Sequence, residues 1–206
     1  MFVITADQVG SRHSADIVGA TVTRLDKTHR GALALPVDRN AGDELQALVA
    51  TAKTALSIVL DLTRSGDWSV GLGVGGVELP LPESTREARG AAFLAARSAV
   101  SRAKKSALRF ALESNSGAES VEPLIAILLA LRDRRTEQGW QVYDLIEAGL
   151  SQKSAARELG ITPQAVSDRM SVAQVRIDLE AHEPLIQMLA TLDQAVAAKE
   201  AEEKTE

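Results

Sequence analysis

Short apolar runs alternate with longer amphipathic stretches in the first half of the chain. Consecutive apolar residues are typical of buried strands, and apolar residues spaced three and four apart are typical of helices. The pattern predicts β-α-β-β-α-β, then a further helix and a short strand, with elements at 2–6, 15–30, 32–37, 44–49, 50–64, 68–77, 85–104 and 107–112. This order favours a ferredoxin-like α/β sandwich.

The second half of the chain has helical spacing only. Apolar residues form stripes over 120–136, 140–148 and 183–198, whereas the preceding segment 113–120 is small, polar and aperiodic, which is typical of a linker. The predicted organisation is an α/β domain, a linker, an all-α domain and a disordered tail, at 1–112, 113–120, 121–198 and 199–206.

Composition narrows the classes of function. The chain has no cysteine, which excludes disulfides and thiolate zinc sites. No charged leader or apolar signal region precedes the first strand, and the longest apolar run is too short to span a bilayer, so we expect a cytoplasmic protein with no membrane partner. Because the net charge is −5, a DNA-binding surface requires a local cluster of basic residues.

Residues 149–170 carry several helix signals at fixed spacing. Ser151 is the predicted N-cap of a short helix, and Gly160 supplies the turn after it. Thr162 is the predicted cap of the next helix, with Pro163 in its first turn, where the missing amide proton costs nothing. Together these signals predict two short helices joined by a tight turn.

The second of these helices is expected to present a free polar face. Val166 should pack back against Ala156 and Leu159, which leaves the opposite side exposed. The segment from 140 to about 177 resembles sigma-factor region 4 and related bacterial helix-turn-helix proteins, with the motif at 151–177. The expected DNA contacts are Lys153, Thr162, Gln164, Ser167, Asp168, Arg169, Ser171 and Arg176. The resemblance implies double-stranded DNA as the partner. An ordinary helical hairpin is the alternative.

Two further features bear on the helical domain. Arg132, Arg134 and Arg135 are expected to add to the basic surface. The last helix carries an apolar stripe that either covers the helical core or forms a homodimer interface, which is the usual way to read two DNA half-sites. The stripe consists of Leu185, Met188, Leu189, Leu192 and Val196.

Two aspartates of the first domain end predicted strands. Asp7 follows the first strand, and Asp43 lies in the hairpin between the second and third. If these strands are neighbours, the carboxylates converge as oxygen ligands for Mg²⁺ carrying nucleotide phosphates, with backbone N–H groups of 9–11 beside them. Alternatively, both are turn residues. The histidines lie in unrelated surroundings and are expected at the surface, not as ligands: His13, His29 and His182.

Most of residues 2–112 resemble the SatD family and, more distantly, class III nucleotide cyclases and their GGDEF relatives. The resemblance is carried by the segments DQVGSR, GDELQAL, VGLGVGGVE and ARGAAFLAARSA. It implies metal positions at Asp7 and Asp43, and Phe93 stands where cyclases have a catalytic asparagine. The implied nucleotide-binding residues are Val9, Gly10, Ser11, Arg12, Arg39 and Arg97.

The leading hypothesis is therefore a DNA-binding bacterial transcriptional regulator whose first domain senses a nucleotide-like ligand or a partner. The alternative is a cyclase or other Mg²⁺-dependent phosphoryl-transfer enzyme. It ranks second because Phe93 stands in place of the catalytic asparagine. A third hypothesis is an adaptor that binds RNA polymerase through its helical domain.

Overall fold

The computed structural model describes residues 1–40 and 42–203 and divides the chain into two compact units. Unit 1 comprises Met1–Ala126 together with the chain from Leu185 onward, and unit 2 comprises Ile127–Pro184. The protein is an α/β protein with a five-stranded mixed sheet in unit 1. Across the described part of the chain, every helix is too short or too polar to cross a membrane.

Unit 1 contains the sheet and three helices of its own. The strands are β1 (Phe2–Gln8), β2 (Leu33–Arg39), β3 (Glu44–Val49), β4 (Trp68–Val74) and β5 (Phe110–Glu113). The helices are α1 (Val18–Thr28), α2 (Ala52–Arg64) and α3 (Ala91–Ala103), with a 3-10 turn at Thr85–Glu87. This succession matches the predicted order of strands and helices.

The helices of unit 2 are α5 (Glu137–Glu147), α6 (Gln152–Leu159) and α7 (Pro163–Val172). Two further helices, α4 (Ala118–Asp133) and α8 (Val175–Glu203), contribute residues to both units.

The sheet has the strand order β2-β3-β1-β4-β5. Strand β1 is antiparallel to both β3 and β4, β2 is antiparallel to β3, and β5 is parallel to β4. The condition for the two aspartates to converge is met, because the first strand lies beside the third, with Asp7 paired to Glu44 in register.

Alternate glycines of β4 let α3 lie close to one face of the sheet. A Cβ at Gly71 would lie 2.2 Å from the Val100 backbone nitrogen, and one at Gly73 would lie 2.2 Å from the Ala92 carbonyl oxygen. Facing these glycines, α3 presents small buried side chains such as Ala96. The glycines that weaken β4 as an isolated strand are therefore required by this packing.

Both faces of the sheet are buried. Val3 and Leu48 form a core cluster with Ala92 and Ala96 of α3. Because side chains alternate along a strand, Ile4 points to the opposite face, and it is fully buried as well. Since α3 lies on the first face, helices α1 and α2, which also contact the strands, cover the opposite face.

Helix α3 begins six residues later than predicted. Gly90 adopts a φ of 137°, and a Cβ there would lie 2.5 Å from the Gly76 carbonyl oxygen. The segment before it forms only the single 3-10 turn, although its spacing predicted continuous helix from residue 85.

Helix α8 is much longer than the helix predicted at 183–198. It runs as one helix from Val175 to Glu203 with Pro184 inside, so residues 199–203, expected to be a disordered tail, are helical; 204–206 lie outside the described residues. The stripe residues Leu185, Leu189, Leu192 and Val196 are buried in unit 1. The stripe therefore covers unit 1, and is unavailable as the predicted dimer interface.

Polar contacts fix this end of α8 to unit 1. The amino group of Met1 lies 2.5 Å from Asp193 Oδ1, and the Gly76 amide donates to Glu200 Oε1 at 2.9 Å. Residues 185–198, predicted to complete the helical domain, instead belong to the α/β unit.

Candidate functional site

The two short helices of unit 2 form with the predicted caps. Ser151 Oγ accepts the Ser154 amide at 3.1 Å, and Thr162 Oγ1 accepts the Ala165 amide at 3.1 Å. Gly160 ends α6 in the left-handed conformation, with a φ of 64°, which a glycine adopts without strain. Ser151 therefore fixes where α6 begins, Gly160 where it ends, and Thr162 where α7 begins.

A small apolar core holds α6 and α7 together. Val166 of α7 is fully buried with Ala155, Ala156 and Val142, and Leu159 packs against this cluster. The predicted contact of Val166 with Ala156 and Leu159 is confirmed. Since alanines occupy the centre of α6, α7 approaches it closely, and its polar face is left outward.

Most residues predicted to touch DNA lie on the surface of this helix pair. The exposed ones are Lys153, Thr162, Gln164, Asp168, Ser171 and Arg176. Ser167 and Arg169 are half-buried. Gln164 Nε2 donates to Asp168 Oδ1 at 2.9 Å, one helical turn away. This contact orients the amide at the start of the outward face.

A cleft of about 230 Å³ opens where α5 begins and α7 ends. Arg134 and Arg169 line it together with Asp168 and Thr136, which caps α5 by accepting the Gly139 amide at 3.2 Å. We call it the Arg134–Arg169 cleft. The N-terminus of a helix carries partial positive charge, so two guanidinium groups beside it suit an anion such as a phosphate.

Beneath this cleft lies a buried ionic cluster that the sequence analysis missed. Asp178 is fully buried and accepts hydrogen bonds from Arg132 Nη1 at 2.9 Å and from Arg135 Nη2 at 2.7 Å. His182 Nε2 lies 2.8 Å from Asp178 Oδ1. Burial alone would raise the Asp178 pKa, but the hydrogen bond with His182 and the two arginine charges outweigh it and hold the pKa below its usual value.

Two aromatic rings complete the cluster. The Arg135 guanidinium lies 4.4 Å from the Trp140 ring centre and 4.7 Å from that of Tyr143, within the range of cation–π attraction. Arg135 Nε also donates to the carbonyl oxygen of Ala173 at 3.0 Å, directly after α7. The cluster therefore ties the end of α7 to α4 and α5.

The cluster corrects two expectations. Arg132 and Arg135 are buried and bind Asp178, so they cannot add to a DNA-facing surface. Arg134, in contrast, is exposed. His182, expected at the surface, is half-buried as part of the cluster. The available signal was the placement of Trp140 within one turn of Tyr143, in a chain with 3% aromatic residues.

Asp7 and Asp43 line one cleft of about 280 Å³ in unit 1, which we call the aspartate cleft. Lys104 Nζ lies 2.6 Å from Asp7 Oδ2, and Ser11 Oγ donates to Asp43. The hydrogen bond from Ser11 lowers the pKa of Asp43, and the positive charges of Lys104 and Arg12 act in the same direction.

The predicted turn residues line this cleft as well. They are Val9, Gly10, Ser11 and Arg12, and exposed His13 lies beside them. The charged lining consists of three cations (Arg12, Lys104 and Arg109) and the two carboxylates. The cleft is thus mildly positive when His13 is neutral.

Magnesium fits this donor set only if Lys104 moves, because its ammonium group already neutralises Asp7. Within residues 1–40 and 42–203, no group of three or more His, Cys, Asp or Glu side chains is arranged to hold a metal. As it stands, the aspartate cleft suits a phosphate group better than a bare cation.

The remaining two predicted nucleotide-binding residues lie elsewhere. Arg39 forms an ion pair with Asp16 at 2.7 Å and donates from Nε to the Gly42 carbonyl oxygen. Arg97 lines a separate, larger cavity beside α3. The structure therefore places neither arginine in the lining of the aspartate cleft. His29 is half-buried, and burial lowers its pKa.

Comparison of the chain with protein-family models, with curated proteins and with solved structures finds no match.

Proposed function

We propose that this protein is a DNA-binding transcriptional regulator and that α6 and α7 form a helix-turn-helix. The observation that carries the proposal is the outward polar face of α7, held on a capped and packed scaffold. In this proposal α7 lies in the major groove, where short polar and amide side chains reach base edges.

Local charge supports this assignment. Basic side chains outnumber acidic ones on and beside the helix pair, although the whole chain carries −5. Within 151–177 the exposed or half-buried cations are Lys153, Arg157, Arg169 and Arg176, against Glu158 and Asp168. Phosphate contacts supply much of DNA affinity, so a local positive surface offsets an unfavourable net charge.

The roles within the interface divide by reach and chemistry. Gln164 and Ser167 lie towards the start of α7, the part of a recognition helix that meets bases, and we assign them to base reading. Arg169 and Arg134 frame the Arg134–Arg169 cleft, and we assign them to a backbone phosphate. Asp168 positions the Gln164 amide through their 2.9 Å hydrogen bond.

Sequencing of the genomic DNA fragments that the purified chain retains tests this proposal. We expect a small set of fragments that share one sequence motif. Retention of fragments without any shared motif, or retention of none, contradicts sequence-specific regulation. The matched control is Arg24→Ala, in the exposed part of α1, because Arg24 pairs with Asp61 and lies far along the chain from α7. This variant should retain the same fragments.

For unit 1, we propose a ferredoxin-like sandwich that senses a nucleotide-like ligand. The strand order β2-β3-β1-β4, with helices between β1 and β2 and between β3 and β4, supports the fold assignment. The mildly positive aspartate cleft supports phosphate binding. Magnesium accompanies the ligand in this proposal only if Lys104 releases Asp7.

Docking to RNA polymerase is the second candidate, because Val172 at the end of α7 is 82% exposed and Ile177 at the start of α8 is 54% exposed. Apolar side chains this open suit a protein surface better than a phosphate backbone. Capture of purified polymerase in the absence of DNA, lost in Val172→Ser, would support it.

A further inference from the structure

The cavity beside α3 that Arg97 lines has no role so far. It measures about 500 Å³, within the range of small-molecule pockets. It lies between β3, the start of α3 and the segment that precedes α3. Its chemically distinctive lining residues are Gln46, Glu78, Arg86, Arg89, Phe93 and Arg97. We call it the arginine pocket.

The charge of the arginine pocket favours an anion. Three guanidinium groups line it, against the single carboxylate of Glu78. Arg86 makes only a loose ion pair with Asp38, at 3.5 Å. Among the residues that the structure describes, neither Arg89 nor Arg97 has a side-chain partner. These guanidinium groups are therefore available to bind a ligand.

The floor of the arginine pocket is formed by uncharged side chains, those of Phe93 and Gln46. Phe93 packs its inner side against the cluster of Val3 and Leu48, and its remaining surface faces the cavity. Gln46 is 6% exposed, and its amide nitrogen donates to Thr5 Oγ1 at 3.3 Å. An aromatic side chain beside a buried amide suits a planar group that carries hydrogen-bonding atoms.

Backbone contacts hold the arginine-bearing segment in place. The Glu78 amide donates to the Arg89 carbonyl oxygen at 2.8 Å, and the Ala92 amide donates to that of Gly76 at 3.1 Å. Gly90 allows this close approach, since a Cβ there would lie 2.6 Å from the Val77 Cα. The arginines are therefore presented by a fixed backbone, which lowers the cost of ordering them around a ligand.

We infer that the arginine pocket binds a small organic phosphate with a planar group, the chemical class of nucleotides, with Arg89 and Arg97 on the phosphates and Phe93 under the planar group. Guanidinium groups pair with phosphate through two parallel hydrogen bonds. The inference rests on the ligand-sensing half of the proposed function, and moves the ligand's main site from the aspartate cleft to this pocket.

Calorimetric titration of the full chain with the four ribonucleoside triphosphates tests the inference. EDTA in the buffer removes any contribution from metal in the aspartate cleft. At least one nucleotide should bind, and its nucleoside and inorganic tripolyphosphate should each bind about tenfold more weakly, because each lacks one half of the contacts. Absence of binding by all four, or equal binding of tripolyphosphate, overturns the inference.

Variants locate the site. Arg89→Gln and Arg97→Gln should each weaken nucleotide binding about tenfold, the loss of one charged hydrogen-bonding group. Both positions are exposed, so the melting temperature should stay unchanged. Ser98→Ala, at an exposed position of α3, is the control that should bind as wild type. Loss in Arg12→Gln with full binding in Arg97→Gln would place the ligand in the aspartate cleft instead.

The two proposals fail separately. A chain that retains DNA fragments with a shared motif but binds no nucleotide overturns only this inference. If the protein binds nucleotide through Arg97 but retains no specific DNA, only the DNA-binding half of the proposed function is overturned.

Discussion

Replacing Asp178 with asparagine should destabilise unit 2 severely. The carboxylate is fully buried and is the shared counter-ion of two arginines whose side chains are 7% and 0% exposed. Asparagine keeps the shape but leaves these two charges buried without a counter-ion. Removing one partner of a buried ion pair costs about 3–5 kcal/mol. We expect a loss of that size in the free energy of unfolding.

Urea unfolding followed by tryptophan fluorescence measures this loss. Trp140 lies in the cluster and Trp68 in unit 1, so a Trp68→Phe background restricts the signal to unit 2. Asp133→Asn is the matched control, since Asp133 is exposed at the end of α4, and it should change stability by less than about 0.5 kcal/mol. A loss below about 1 kcal/mol for Asp178→Asn would refute the account of the cluster.

The stability difference between wild type and Asp178→Asn should also depend on pH. The Asp178 pKa is lowered in the folded protein, because the His182 hydrogen bond and the arginine charges outweigh the effect of burial. A depressed carboxyl pKa contributes stability that is present above the unfolded value of about 3.9 and is lost as pH falls through the folded value. The stability gap between wild type and Asp178→Asn should therefore be constant near neutrality and shrink below about pH 4.

Three other changes test the packing and the aspartate cleft. Gly73→Ala should destabilise unit 1 by more than about 2 kcal/mol, because its Cβ would lie 2.2 Å from the Ala92 carbonyl oxygen, and thermal melting measures this. Gly19→Ala in α1, where a Cβ meets nothing within 4 Å, should instead stabilise by about 0.5–1 kcal/mol, and a lower melting temperature would count against the helix assignment. Lys104→Met should tighten Mg²⁺ binding in a calorimetric titration, because Asp7 loses its ammonium partner. Asp43→Asn in that background should abolish the binding, and unchanged Mg²⁺ affinity would exclude a cation between Asp7 and Asp43.

Local chemistry explains what the sequence predicted in unit 2. Ser151, Gly160 and Thr162 act through hydrogen bonds and backbone angles within a few residues, so their roles follow from short segments. Val166 and Ala156 lie on the two helices that Gly160 joins, and helical spacing places each on the side that faces the other helix. The aspartate pair was only a conditional prediction, because it depends on the register of β1 with β3, which brings Asp7 beside Glu44.

Long-range contacts explain what the sequence did not predict. Arg132 and Asp178 are 46 residues apart, and nothing in either segment alone indicates that they meet. The start of α3 depends on the carbonyl of Gly76, which meets Gly90 only after β4 and α3 have packed. Arg97 and Asp7 line different cavities for the same reason. Helix α3 carries Arg97, and its position on the sheet is set by the glycines of β4.

Selection of duplexes from a random DNA library tests the central claim most directly. The wild-type chain should enrich one motif, and the Gln164→Ala/Ser167→Ala double variant should lose that motif while keeping non-specific binding, since each base contact contributes about 1–3 kcal/mol of discrimination. Arg169→Ala should keep the motif but bind with a salt dependence reduced by about one phosphate. Equal enrichment of the same motif by wild type and the double variant would contradict the assignment of α7 as the helix that reads DNA.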